Sequence, residues 1–420
     1  MNKYVKLFID HKKIVENYFF MTILQLLNSF FYLIIYPFVV NSLGVDNYGL
    51  YVFSYSIATY FITFVGFGFD IIGVRQISLN QTNDLEKSNV LSAIFTAKIL
   101  ILIMSTLIFF VLVLSIDLLK TNFLVFLFSF MNILSGIFMP IWYFQGLQKM
   151  RIVTFIQVVC KIASLPLILY FVKNPDDLGI YSFIISITNI IGSLAAYYII
   201  SRVHNIKIKF VQFNFVIKYF KDAMPYFWTI AIGTLKGQSV SLISGAFYSM
   251  KEVAYYDLAY KLVSMPNILL SSINTAMFPK IINEYNINKI KKIIKLEYIL
   301  GLLSIVIFII FGKWFVILFG GQLMLPSYSM SVLLSTTVLS WLVVGAYINF
   351  IFVPNNKSKY VLYNQLIALV SFFVLYFIGI QFINEMIILV IAMSLSSIIE
   401  IIYCYYIIRK KGFLKKIYNE

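Results

Sequence analysis

Along this chain the apolar residues neither alternate with polar ones nor form a stripe opposite a polar face. They run almost unbroken for about 20 residues, stop at a short polar break, and run again. A helix rising about 1.5 Å per residue needs that length to cross a hydrocarbon core of about 30 Å. Backbone groups in lipid must be satisfied internally, which leaves helices or closed barrels, and unbroken apolar runs are not the alternating pattern of a barrel. The runs predict about twelve spans, at roughly 15–41, 47–74, 88–115, 122–146, 151–172, 178–200, 223–247, 255–282, 296–319, 327–352, 361–382 and 386–408. The fold class is therefore all-α integral membrane. The first helix, behind the basic segment KYVKLFIDHKK, is expected to be a retained span that also directs insertion.

Composition agrees with the pattern: 61% of residues are hydrophobic and 12% charged, against about 25% charged in soluble domains. The net charge of +16 would suit a nucleic-acid surface, but its placement points elsewhere. Most Lys and Arg fall in alternate breaks, in segments such as RVHNIKIKFVQFNFVIKYFKDA, KIINEYNINKIKKIIK and RKKGFLKKIYNE. The opposite breaks carry Asp46, Asp117, Asp176, Asp177, Glu252 and Glu385. Positive segments stay inside, so both termini are expected to be cytoplasmic, with the basic excess against anionic headgroups.

The basic interruption near 201–222 divides the spans into six and six, giving domains 1–205 and 206–420. At an offset of about 205 residues, VDNYGLYVFSYSI lies over MKEVAYYDLAYKL, pairing Gly49 with Ala254, Tyr51 with Tyr256 and Tyr55 with Tyr260. An even number of spans per half gives parallel repeats, which place a substrate between two six-helix bundles around a central cavity.

Charges inside spans carry the candidate chemistry. A lysine at mid-span costs about 2.5–3.5 kcal/mol and usually faces a bundle interior or water. Lys236 lies about 11 residues, roughly 16 Å, from the nearer end of its span, in a sector with Thr229, Gly233, Gly237, Ser241 and Ser244. It either lines a cavity or bonds a carbonyl or carboxylate in a small-residue interface. Lys261 follows Asp257 by four residues, so an intrahelical pair is available. Lys98 and Lys161 either snorkel inward or pair with Asp70 or Glu400, and they join Asp257 as candidate cavity residues. Asp70, Arg75 and Glu400 are candidates for a gate or coupling site, with Asp70 in reach of Arg75 at a helix end. Lys313, beside Trp314, reads as an interfacial anchor.

Enzyme classes find little here. The two histidines, His11 and His204, fall in cytoplasmic flanks away from the buried acids, and Cys160 and Cys404 stand far apart in apolar spans, so no metal site is expected. No Walker A loop, dinucleotide fingerprint or HExxH occurs, and no cofactor is expected. Transport would then draw on an ion gradient, H+ or Na+, on the membrane potential or on the substrate gradient.

Three motifs in order, LGVDNYGLYVFSYSIATYFITFVGFGFDIIGVRQIS, MPIWYFQGLQKMRIVTFIQVVCKI and KEVAYYDLAYKLVSMPNILLSSINTAMFPKI, resemble the bacterial polysaccharide repeat-unit flippases. These are the O-antigen translocases of the multidrug/oligosaccharidyl-lipid/polysaccharide exporter superfamily. The resemblance implies alternating access and transfer of an undecaprenyl-pyrophosphate-linked oligosaccharide across the bacterial cytoplasmic membrane, alongside polymerase and chain-length partners. The third motif also looks like that of the related peptidoglycan lipid flippases, in which a basic residue after Tyr-Tyr-x-x-Ala, here Lys261, binds the anionic lipid-linked substrate. Related peptidoglycan lipid flippases carry arginines in the first span, whereas residues 18–41 here have none. Lys236 is expected to supply part of that charge, making Lys236 and Lys261 the pyrophosphate ligands. A multidrug cation exporter of the same fold, which would favour buried acids, and a membrane polymerase or glycosyltransferase are the alternatives.

Overall fold

The computed structural model of the chain describes the backbone of residues 3–283, 286–355 and 357–413, and their side chains except at 3–15, 18, 271–283 and 358. Every regular element among them is helical. The apolar runs become α1 (Lys3–Leu43), α2 (Val45–Gly66), α3 (Phe69–Leu79), α4 (Asp84–Ser115), α5 (Asp117–Thr121), α6 (Phe123–Phe138), α7 (Ile141–Gly146), α8 (Met150–Phe171) and α9 (Leu178–Tyr198). The second half gives α10 (Phe213–Phe247), α11 (Met250–Asn283), α12 (Ile287–Gly320), α13 (Ser327–Tyr347), α14 (Ser358–Gly379) and α15 (Ile387–Lys411).

Ten stretches among the described residues are long and apolar enough to cross a membrane, two fewer than the sequence pattern predicts. The predicted spans at 223–247 and 255–282 lie within α10 and α11, which are long helices but are not among the ten. Their small and polar residues, such as those of GTLKGQS and YYDLAYK, dilute the hydropathy.

Two predicted spans are interrupted. The run 47–74 breaks at Phe67 and Gly68, both left-handed, with φ of 44° and 74°. A Cβ on Gly68 would sit 2.9 Å from the backbone nitrogen of Phe227, so a bare α-carbon lets α10 approach. Phe67 stacks on Phe227 at 4.4 Å, and both Phe67 and Phe69 meet Phe220 edge-on. The run 122–146 breaks at Met139 and Pro140, where proline lacks the N–H and restricts the residue before it.

The chain divides into two compact units, Met1–Phe31 with Asn41–Thr234, and Tyr32–Val40 with Leu235–Glu420. That division differs from a cut at 205/206: α1 and α10 each contribute residues to both units, because successive turns of a long helix can join different clusters. In the first unit α2 packs on α4, α6 and α9. Buried hydroxyls and amides tie these apolar helices: Ser54 to Ser129 at 2.8 Å, Asn132 Nδ2 to Ser186 at 2.9 Å and Asn189 Nδ2 to Asn132 Oδ1 at 2.9 Å. In the second unit α13 is the central helix, against α11, α12 and α15, and Ser394 of α15 donates to its Leu333 carbonyl at 2.8 Å. The tyrosine pairs aligned by the sequence repeat share one geometry, with ring centroids 6.2 Å apart for Tyr51 and Tyr55 and 6.0 Å for Tyr256 and Tyr260.

The segment 205–212 has no helix or strand and runs along the start of α4. Ser88 donates to the Lys207 carbonyl, the Lys209 N–H donates to Ser92 Oγ at 3.0 Å, and the Val211 N–H donates to Thr96 Oγ1 at 3.2 Å. Hydroxyls every fourth helical residue thus meet every second residue of the segment.

Candidate functional site

Asp257 and Lys261 lie one turn apart on α11, and Lys261 Nζ donates to Asp257 Oδ2 at 2.6 Å. Tyr32 and Tyr36, likewise one turn apart on α1, present their rings to the same ammonium, with centroids 5.3 Å and 5.5 Å away. The Tyr36 hydroxyl donates to the Ala254 carbonyl at 3.1 Å, which fixes its ring against α11. Two i, i+4 pairs on two helices therefore build one site, an ammonium held by a carboxylate and two aromatic faces. The Lys261 side chain remains 24% exposed. An ammonium has three donors and no acceptor, so this group can meet an anionic oxygen while keeping its carboxylate.

Lys236 is placed differently. Its side chain is 8% exposed and its ammonium is paired with Glu400 Oε1 of α15. The other Glu400 oxygen accepts from Asn364 Nδ2 of α14 at 3.4 Å, and Asn364 Oδ1 accepts from the Cys404 thiol at 3.4 Å. Of the two environments open to Lys236 from the sequence, the structure has the carboxylate partner. Lysine, glutamate, asparagine and thiol form one chain of contacts across α10, α14 and α15.

The remaining candidates do not join either cluster. Lys98 donates to Asp70 Oδ1 at 2.9 Å and to the Gly136 carbonyl at 3.3 Å, so the ion pair of Asp70 is with α4 and not with Arg75, which is exposed on α3. Lys161 lies over the Phe31 ring, 4.3 Å from its centroid, and not beside Asp70 or Glu400.

Two features were missed from the sequence. Glu297 of α12 is 3% exposed; it sits one residue inside the predicted span, and a single acid just past a basic run was the available signal. His204, read only as a flank residue, is bonded on both ring nitrogens: Nδ1 to the Tyr143 hydroxyl at 2.9 Å and Nε2 to Lys149 Nζ at 3.4 Å. An ammonium can only donate, so Nε2 is the acceptor and the ring proton sits on Nδ1. Burial pushes the His204 pKa down, aided by Lys149 and Lys87 and opposed by Asp84. His11 lies outside the described side chains.

Comparison with known proteins fits this architecture. The model of the family described as "Polysaccharide biosynthesis protein" matches residues 14–283, more than half of the chain. A protein of Escherichia coli (strain K12) named "Putative O-antigen transporter" is 26% identical over 295 residues, covering 69% of this chain and 70% of that protein. Among solved structures, an inward-facing multidrug resistance MATE family transporter of the MOP superfamily superposes with a TM-score of 0.72 at 12% identity, over 93% of this chain and 96% of its own. The lipid II flippase MurJ in an inward closed conformation gives 0.61 at 17% identity, over 91% and 89%. At these identities the two structures speak for the fold, that of an all-helical, multi-pass membrane protein. The chain belongs to the polysaccharide biosynthesis protein family, as a membrane transporter and not an enzyme.

Proposed function

We propose that this chain moves an undecaprenyl-pyrophosphate-linked oligosaccharide repeat unit from the inner to the outer leaflet of a bacterial cytoplasmic membrane by alternating access. O-antigen, capsule or exopolysaccharide synthesis would use the product. In this reading α10 and α11 bring the spans to twelve, with both termini cytoplasmic. A pyrophosphate bearing sugars cannot enter hydrocarbon without losing hydration, and a positive, partly wet group compensates that loss through charge-assisted bonds. The observation that carries the reading is the Lys261 site, an ammonium still partly exposed beside Tyr32 and Tyr36 in a member of a polysaccharide-transport family. Lys261 takes the pyrophosphate and Asp257 holds the ammonium between cycles. Lys236, paired with Glu400, is a second cation that an anionic ligand can draw on, with H+ or Na+ as the coupling ion. Lys98, Asp70 and Lys161 act through helix contacts and not on substrate, and Arg75, exposed on α3, stays a gate candidate.

The test is leaflet exposure of lipid-linked repeat units in cells carrying Lys261→Gln, Lys261→Arg or Asp257→Asn, with membrane levels matched. Lys261→Gln is expected to lower exposure by about tenfold or more, the scale of one charged hydrogen bond, and Lys261→Arg to keep part of it. Normal flipping by Lys261→Gln at normal levels refutes the assignment. A multidrug cation exporter is the second reading, supported by the fold shared with the multidrug transporter; energy-dependent efflux of a cationic dye, lost in Asp257→Asn, would favour it.

A further inference from the structure

A groove of about 560 Å³ opens on the first unit between α1, α8 and the turn that ends α9. Phe20 and Ile23 of α1, Ile152 and Phe155 of α8, and Ile199 form its apolar walls, and Arg151 is the charged residue lining it. The base is fixed by polar ties between the helices. The Met150 N–H donates to Asn17 Oδ1 at 3.1 Å, and the Thr154 hydroxyl donates to the carbonyls of Phe20 at 3.1 Å and Met150 at 3.0 Å. Phe155 remains 70% exposed, so protein does not cover this wall.

The walls belong to three of the stretches long and apolar enough to cross a membrane. Their open side therefore faces acyl chains. Arg151, in contrast, is exposed in the first turn of α8, directly after the polar turn that carries Lys149, where a helix N-terminus adds positive potential. A neutral hydrocarbon chain would satisfy the walls and leave that end unmatched.

We propose that this groove binds an anionic phospholipid of the surrounding bilayer, with one acyl chain along Phe20, Phe155 and Ile199 and the phosphate on the Arg151 guanidinium. The planar guanidinium fork matches two phosphate oxygens. Basic pockets between membrane helices on the cytoplasmic side are where lipid phosphates are held. This site shares no residue with the Lys261 site and does not depend on what is transported.

Purified protein titrated with mixed micelles of phosphatidylglycerol or phosphatidylcholine of the same chain length, followed by native mass spectrometry of retained lipid, tests the site. Wild type should retain phosphatidylglycerol in preference. Arg151→Ala should lower that preference about fivefold, which corresponds to the roughly 1 kcal/mol carried by one basic residue at an anionic surface, and Arg151→Lys should restore part of it. Ile199→Trp, which fills the groove and leaves the charge, should lower retention of both lipids. If Arg151→Ala does not give monodisperse protein, Arg151→Lys and Ile199→Trp decide the matter. Equal retention of the two lipids by wild type, an unchanged preference in Arg151→Ala or Arg151→Lys, or retention unaffected by Ile199→Trp overturns the proposal. So does displacement of phosphatidylglycerol by a lipid-linked oligosaccharide at one molecule per groove.

Discussion

Replacing Lys236 by methionine removes an ammonium while keeping most of the volume of its stem. Glu400, with a side chain 12% exposed, would then retain the Asn364 Nδ2 contact at 3.4 Å and lose its counter-charge. Removing one partner of a buried ion pair costs about 3–5 kcal/mol, because the surviving charge has lost its partner without regaining water. Glu400→Gln leaves the ammonium in the same position. The double variant removes both charges, and replacing a whole buried pair by neutral groups is often neutral or even stabilising. The two singles should therefore be strongly non-additive, with a coupling energy of roughly 3 kcal/mol or more in a double-mutant cycle. At about 2–4 °C per kcal/mol for a folded unit of this size, each single variant should melt roughly 6–20 °C below wild type, and the double variant within a few degrees of it. Fluorescence-detected size exclusion after graded heating in detergent reads all four proteins. Singles within about 1 kcal/mol of wild type whose effects simply add would show that the contact carries no coupling, and the reasoning would fail.

Other consequences can be measured alongside. Gly73→Ala would bring a Cβ to 2.3 Å from the Trp142 ring, and a rigid indole buried at that point cannot yield, so a loss of about 1–3 kcal/mol in thermal stability is expected. Because the His204 pKa is lowered in the folded chain, stability is full above about pH 6.5 and is lost as pH falls through the window below it. His204→Gln should flatten that acid-side slope in melting experiments from pH 7.5 to 5 or so. Thr96→Val removes the acceptor of the Val211 N–H, worth about 1 kcal/mol, and should speed amide exchange there about fivefold by hydrogen-exchange mass spectrometry.

How much of this was legible from sequence follows the range of each interaction. The helices came through because a long apolar run is a local signal. The break inside GFGFD did not, because Gly68 turns where it does to admit Phe227, a residue far along the chain that no local pattern connects to it. Asp257 and Lys261 could be paired by their spacing of four, but the rings of Tyr32 and Tyr36 could not be foreseen from that motif. Lys236 announced itself by its depth, while its partner lies 164 residues away. Asp70 had two partners on offer, Arg75 at its own helix end and Lys98 of the next span, and its ion pair is with Lys98, 28 residues on, a choice that spacing alone did not make.

The three hydroxyl rungs that fasten residues 207–211 to α4 join two unlike rulers. Four helical residues advance about 6.0 Å, whereas two residues of nearly extended chain advance about 6.6 Å. The two scales drift apart by about a tenth per rung, so a much longer ladder would slip out of phase. A single inserted residue upstream of 207 would turn the strap by half a turn and present carbonyls where the N–H groups of Lys209 and Val211 now stand. Because the rungs use backbone groups, the count of residues between the two halves should be tightly kept.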